Sequence, residues 1–348
     1  MKILHIDSGL FWRGGQRQVL TLHQKLLDSG VNSYLACNSS GELFKKAEKM
    51  RIANLFPYEY KSEISLSTFK SLKKIRTKIA PDIIHCHDGH SITYGVLLKK
   101  KSYLFETRRV SYKINKFSRV FKYSKVDAHI SVSNDIKMYL KKYFDQVFTI
   151  HSCIDLSRFK QKAAKDKFDQ SKINLLFVGA LSKQKGLEIL LQAFSKLSKL
   201  YKNLHLNIVG SGELQSWLEE KILELNISNG VTLFGHHSDI ENFYHSSDIV
   251  IFPSVDGEGS SGVIKESMAA NKIIIASDLA CNKEIIADGL DGILFSNNSA
   301  ESLLEKIEKV LINPNFLNIT DIKKKVREFS CETIAAKYIQ IYCKYHNK

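Results

Sequence analysis

Proline and tryptophan are scarce, four and two residues in 348, and no proline-, serine- or glycine-rich tract occurs. With 44% apolar residues, that composition excludes collagen-like, low-complexity and disordered chains. The longest apolar runs, such as the one within Lys272–Ser277, are about five residues, far below the ~20 needed to cross a bilayer. The opening Met1-Lys2-Ile3-Leu4-His5-Ile6-Asp7 carries an aspartate where an export signal keeps its apolar stretch. It is expected to form a first strand rather than a signal peptide. The six cysteines, at 37, 86, 153, 281, 331 and 343, include no CxxC pair and no zinc-like spacing. Reduced thiols in a cytoplasmic protein are therefore expected.

What the chain has in excess is positive charge, +15 overall. Residues 1–160 hold 29 Lys and Arg against 13 Asp and Glu, whereas residues 161–348 hold 22 against 23. The whole excess belongs to the first half. Between 96 and 125 stand ten basic residues, Arg108 and Arg109 among them, against the single acid Glu106. Tyr103, Phe105, Tyr112, Ile114, Phe117, Val120, Phe121 and Tyr123 are interleaved with them. Three readings of this stretch stay open: a solvated basic face, a surface for anionic lipid headgroups, or a nucleic-acid surface. The third lacks any helix-turn-helix, RNP or zinc signature, and nucleic acid is not an expected partner.

Short apolar runs alternate with segments of helical period throughout. Strands are expected at Ile3–Ile6, Ser33–Cys37, Ile83–His85 and Ala128–Val132, then at Ile173–Val178, Leu204–Val209, Val231–Phe234, Ile249–Phe252 and Ile273–Ala276. Helices are expected over Gln16–Leu27, Glu42–Met50, Leu187–Leu200, Leu214–Leu225 and Ile264–Ala270, with a closing amphipathic helix at Thr333–Tyr345. Near-continuous apolar strands alternating with helices predict parallel sheets covered on both faces. Two such series predict two doubly wound α/β domains, residues 1–165 and 166–330, joined through a polar stretch at 160–172. Residues 331–348 are expected to pack back on the first domain. Chemistry in such sheets belongs to the loops that follow strands.

Three loops carry the signal. Gly14-Gly15 opens the helix after the first strand, and bare amides at a helix start attract phosphate, although a plain turn would use the same residues. Gly179…Lys183-Gln184-Lys185-Gly186 follows the first strand of the second series and would suit a diphosphate. The strongest segment is Pro253-Ser254-Val255-Asp256-Gly257-Glu258-Gly259-Ser260-Ser261-Gly262-Val263-Ile264-Lys265-Glu266. It leaves a strand, passes through small residues and enters a helix, so two carboxylates eight positions apart bracket an anion-attracting helix terminus.

Glu258 and Glu266 at this spacing resemble the glutamate pair of the retaining, GT-B-fold glycosyltransferases of family 4, also called glycosyl transferases group 1. Gly14-Gly15, Ile83-Ile84-His85-Cys86-His87, Gly179…Lys185-Gly186, Leu233-Phe234-Gly235-His236 and Glu284-Ile285-Ile286-Ala287-Asp288-Gly289 extend the likeness over almost the whole chain. The resemblance implies a GT-B fold, two Rossmann-like domains facing across a cleft. It implies transfer of a sugar from a nucleotide sugar, UDP-linked first and GDP- or ADP-linked next. The acceptor would be a surface polysaccharide, lipopolysaccharide or lipid-linked glycan near the inner face of an anionic membrane.

By the same resemblance Glu266 binds the ribose and Glu258 the hydroxyls of the donor sugar. Ser260, Ser261, Gly262 and Val263, with Gly14, Gly15, Gly179, Lys183 and Lys185, meet the diphosphate, and Gly235-His236 lies beside the base. His87 stands near the anomeric carbon. Alternation along the strand is expected to turn His85 the other way, and Arg108 and Arg109, from their place in the basic stretch, are expected to meet an anionic acceptor or lipid phosphate. The family's common arginine after the strand glycine is Ala180 here, and its usual glycine comes one place later, at Gly262. No two aspartates stand two positions apart, so lysine and amides are expected to replace a metal and no cofactor is expected. A nucleotide-sugar epimerase of similar fold and a non-catalytic glycan-binding relative are the alternatives.

Overall fold

Short runs of aliphatic residues, most of them fully buried, form the strands of a computed structural model that describes residues 1–160, 167–314 and 317–347. The chain divides into two units, Met1–Cys153 with Cys331–Lys348, and Ile154–Ser330. The first contains β1 (Lys2–Asp7), β2 (Asn32–Asn38), β3 (Leu55–Tyr58), β4 (Ile83–Cys86), β5 (Tyr103–Arg108), β6 (Ala128–Ser131) and β7 (Val147–Thr149). These form one parallel sheet in the order β3-β2-β1-β4-β5-β6-β7. The second contains β8 (Ile173–Val178), β9 (Leu204–Val209), β10 (Val231–Gly235), β11 (Ile249–Phe252), β12 (Ile273–Ser277) and β13 (Ile293–Phe295), in the order β10-β9-β8-β11-β12-β13. Each sheet is doubly wound, and its strand order reverses once, between β1 and β4 or between β8 and β11. At such a reversal the loops diverge to opposite faces and leave a crevice.

Alternation along β1 shows how the first unit is layered. Ile3 packs with Leu22, Leu26 and the closing helix Cys331–His346, while Leu4 and Ile6 pack with Leu72, Ile92 and Tyr94 on the opposite face. The second unit has one continuous core in which β8, β11 and β12 are almost wholly buried. Each fully buried Leu or Ile contributes about 1.5–3 kcal/mol, so these sheets hold the loops on a rigid base.

Two expectations shift. The boundary placed at 165, and residues 161–166 of the stretch 160–172, lie outside the described residues. The units instead divide at 153, because Ile154 and Phe159 pack in the second core. Strands β3, β5, β7 and β13 had no counterpart in the sequence reading. β3 carries Pro57 and β7 and β13 are three residues long, while β5 lies in the stretch read for its charge. Pro57 is tolerated because β3 lies at the sheet edge. Among the described residues no helix is long and apolar enough to cross a membrane.

Candidate functional site

Most expected site residues stand at the sheet reversals, whereas Gly235-His236 end the edge strand β10 and Arg108-Arg109 end β5. In the second unit, β8 ends at Val178 and its loop runs through Gly179 and the exposed Ala180 to a tight turn at Lys183–Lys185. The β11 loop runs from Pro253 to the helix Gly262–Ala269. The two loops are sewn together. Val255 N donates to Gln184 O at 2.8 Å, and Gly186, at φ +65°, lies against Pro253, where a Cβ would stand 2.0 Å from the carbonyl oxygen. Only glycine fits there, so Gly186 is fixed by packing whatever the loop binds.

Lys185 Nζ forms an ion pair with Glu258 Oε1, which also accepts from Ser254 Oγ at 2.9 Å. The two side chains are 16% and 12% exposed, so the pair is mostly desolvated but open at one side. Lysine and glutamate, assigned separately to diphosphate and sugar, are thus each other's partner. Lys183 is exposed beside them. Ser261 caps the helix, accepting from Ile264 N, and Gly262 and Val263 form its first turn, which contains no acid. Glu266, 6% exposed, accepts from Tyr244 Oη at 2.9 Å. Ser260 Oγ accepts from Lys265 Nζ at 2.5 Å; Lys265 is fully buried and lies over the Phe329 ring. Lys265 and Tyr244 escaped the sequence reading, since a lysine inside a helix carries no signal of being buried. Gly235, at φ +70°, has open space around the position of a Cβ, and His236 is exposed.

In the first unit, Gly14 and Gly15 begin the helix Gly14–Asp28, whose first turn has no acid and whose cap makes no side-chain hydrogen bond. Neither glycine has a positive φ, and nothing lies within 4 Å of a Cβ at Gly14. A turn therefore does not require them; what they leave is bare backbone. A Cβ at Gly15 would meet Arg109 Cδ at 3.7 Å. Asp88 holds the neighbouring loops in place: it accepts from Ser8 N and Oγ, at 2.8 and 2.7 Å, and caps the helix Gly89–Leu98. Asp7, buried beside it, accepts from Gly9 N and Gln16 Nε2, and burial followed by the Asp88 charge pushes its carboxyl up to about 6.

The expectation that His85 and His87 point oppositely is wrong. Residues two apart in a strand share a face, and their ring centroids lie 4.2 Å apart, with His5 alongside on β1. His85 is completely buried, its Nδ1 2.6 Å from Tyr342 Oη and its Nε2 2.8 Å from Thr107 Oγ1. His87, at the strand end, is 6% exposed. Its Nδ1 faces Arg109 Nη2 at 3.5 Å and its Nε2 lies 2.9 Å from His5 Nδ1. Arginine only donates, so Nδ1 of His87 carries the lone pair and Nε2–H donates to His5. The His5 proton is then on Nε2, a buried atom without a hydrogen-bond partner. Burial first, and neighbouring charges second, hold all three imidazoles well below the usual histidine range. These rings are the one histidine cluster with metal-ligand proximity among the described residues. All of their nitrogens except His5 Nε2 have hydrogen-bond partners, and the Arg109 guanidinium stands beside His87, an arrangement unsuited to a cation.

Arg108 and Arg109 are not an exposed pair. Arg108 is buried, donates to Tyr112 O and lies over the Tyr112 and Tyr139 rings. Arg109 turns inward to His87, donating to its carbonyl oxygen at 3.3 Å. Within the basic stretch the short helix Lys116–Phe121 buries none of its residues. Phe117, Val120 and Phe121 on it, and Tyr112 before it, are 56–72% exposed, and the rings of Phe117 and Phe121 are 4.6 Å apart.

Comparison with known proteins agrees with this architecture. The family model described as Glycosyl transferases group 1 matches residues 158–328, and that described as Glycosyltransferase Family 4 matches residues 12–158. An uncharacterized glycosyltransferase of Haemophilus influenzae is 25% identical over 90% of this chain and 92% of its own length. The lipopolysaccharide 1,2-N-acetylglucosaminetransferase of Salmonella typhimurium is 32% identical over 47% of this chain and 46% of its own. The crystal structure of Anabaena HepE in complex with UDP superposes with a TM-score of 0.84 at 17% identity, covering 99% of this chain and all of that one.

Proposed function

This chain belongs to the group 1 glycosyltransferases of GT-B fold, and on that premise we propose that it is a retaining enzyme using a nucleotide-sugar donor. The acceptor we propose is a growing surface polysaccharide, lipopolysaccharide or lipid-linked glycan. The observation that carries this reading is the pairing of Lys185 with Glu258 beside the capped helix that bears Glu266. A cation and two carboxylates, one paired with it and one turned inward, stand at the end of the second sheet, which supports this reading.

In this reading Glu266, held by Tyr244, accepts from the ribose hydroxyls, and Gly235-His236 borders the base. The diphosphate takes Lys185 away from Glu258 and lies against the amides of Ser260–Val263, with Gly179 and Lys183 at its side. Glu258, so released, accepts from hydroxyls of the sugar. Within the first unit, Gly14 and Gly15 leave bare amides at a helix start, and Arg109 stands as a cation beside His87. The acceptor oxygen bonds to the anomeric carbon as the carbon–phosphate-oxygen bond breaks. The departing phosphate takes the hydroxyl proton on the same face. Its growing charge meets lysine and amide dipoles rather than a metal. UDP is the preferred nucleotide, and the exposed aromatic and basic segment around Lys116–Phe121 rests on an anionic membrane.

The test is thermal unfolding with UDP, GDP, ADP and their sugars. A nucleotide at a hundredfold excess over its dissociation constant adds about 2.7 kcal/mol of stability. One nucleotide should raise the melting temperature, and Glu266→Ala should abolish that response. An unchanged shift in the variant removes Glu266 from the ribose role.

A further inference from the structure

The six cysteines show no pattern in sequence, yet the fold brings two of them into contact. Cys153 and Cys331, 178 positions apart, have their sulfur atoms 3.5 Å from one another. Cys153 is half-buried and Cys331 is 4% exposed. Their place in the chain is particular. Cys153 is the last residue of the first unit before the second begins, and Cys331 is the first after it ends. The backbone is held on both sides of the pair. Gln18 accepts from Cys153 N at 2.7 Å and donates to Cys153 O at 2.9 Å, while Ile154 N donates to Phe329 O at 2.8 Å.

The surroundings favour reaction at these two thiols and not at the others. Cys331 begins the 16-residue helix Cys331–His346, whose positive end stands at the sulfur with Glu332 opposing it in the same turn. Both cysteines line a cavity of about 10 Å³, room for one water, together with the cationic Arg109 and with Gln18. By contrast, burial pushes the Cys37 thiol up to about 12, and that of Cys86 further in the same direction. Cys281 is buried and Cys343 is exposed on the closing helix.

We propose that Cys153 and Cys331 form a reversible disulfide, a modification site that closes the whole second unit into a covalent ring. The chemistry balances with a small disulfide such as oxidised glutathione as oxidant. The Cys153 thiolate attacks one glutathione sulfur, the glutathione S–S bond breaks and one glutathione leaves. Cys331 then attacks the Cys153 sulfur and the second glutathione leaves. Two protein thiols become one disulfide while one oxidised glutathione becomes two reduced ones. In a reducing compartment the pair stays as thiols, and it closes when the poise becomes oxidising. Closure pins together the two points where the chain passes from one unit to the other.

The experiment exposes the whole protein to oxidised glutathione, then counts thiols and maps peptides. The wild type should lose two of its six thiols, yield one crosslinked peptide joining 153 to 331, and recover with dithiothreitol. Oxidation should raise its melting temperature by several degrees, since ring closure restricts the unfolded chain. Cys153→Ser and Cys331→Ser should each lose both the crosslink and the shift, whereas Cys343→Ser should keep them. If Cys331→Ser does not fold, Cys153→Ser alone decides, its side chain being half exposed. No thiol loss, glutathione left on Cys153 without ring closure, or crosslinking through Cys343 overturns the proposal. None of these outcomes depends on the sugar-transfer reading.

Discussion

Replacing Glu258 by glutamine should tighten the binding of UDP, the opposite of what removing a binding residue usually does. Lys185 is held by Glu258, and the two side chains are 16% and 12% exposed. At an effective dielectric constant near 20, opposite charges about 4 Å apart attract by ~4 kcal/mol. A diphosphate must overcome part of this to take the lysine, and solvent at the open side reduces the part that counts. Glutamine keeps an oxygen for Ser254 Oγ and for Lys185 but removes the charge. A net gain of about 1 kcal/mol is expected, roughly fivefold in affinity. Lys185→Met removes a charge-assisted contact worth about 1.5–3 kcal/mol and turns the Glu258 carboxylate on the phosphates, so UDP should bind ~10- to 100-fold more weakly. The double variant should bind better than Lys185→Met alone. Titration calorimetry with UDP measures all four proteins. If Glu258→Gln weakens UDP binding as much as Lys185→Met does, the competition argued here does not exist.

Asp7 gives a pH-dependent prediction. Its folded value of about 6 lies above the ordinary 3.8, so its share of stability is full below about pH 4 and is lost as pH rises through 6. The whole shift amounts to about 3 kcal/mol as an upper bound. Asp7→Asn should therefore gain stability relative to the wild type between pH 4.5 and 7.5, values set about the shift itself. Urea midpoints at the two pH values check it, and a constant difference refutes it. For the membrane contact, Phe117→Ser with Phe121→Ser should lower cosedimentation with anionic vesicles severalfold while leaving the UDP response intact. Equal sedimentation with neutral vesicles, or insensitivity to salt, would end that reading.

Where local pattern suffices, the elements were legible. Ile173–Val178, Leu187–Leu200, Leu204–Val209 and Ile249–Phe252 form as expected to the residue, because each is a continuous apolar or helical-period run with a clear stop. The three-residue strands β7 and β13 carry too few positions to show a period, β3 is broken by Pro57, and β5 lay hidden in a stretch read for its charge. Glu258 and Glu266 could be found because they share one loop and helix, so their spacing is written in the chain.

Apart from the Ser254 hydroxyl on Glu258, the contacts that give those residues their electrostatic state are nonlocal. Lys185 meets Glu258 because β8 lies beside β11, across the strands that intervene in sequence. His87 meets His5 because the parallel register of β1 and β4 sets His5 opposite His85. Arg109 turns inward because β5 ends beside that pair, and Cys153 meets Cys331 because the closing helix returns to the first sheet. Sequence alone determined the class of fold, the loops that carry chemistry and the residue types available there. Which charges neutralise one another, which imidazole nitrogen holds a proton and which thiols touch were decided only when parallel pairing brought distant strands together.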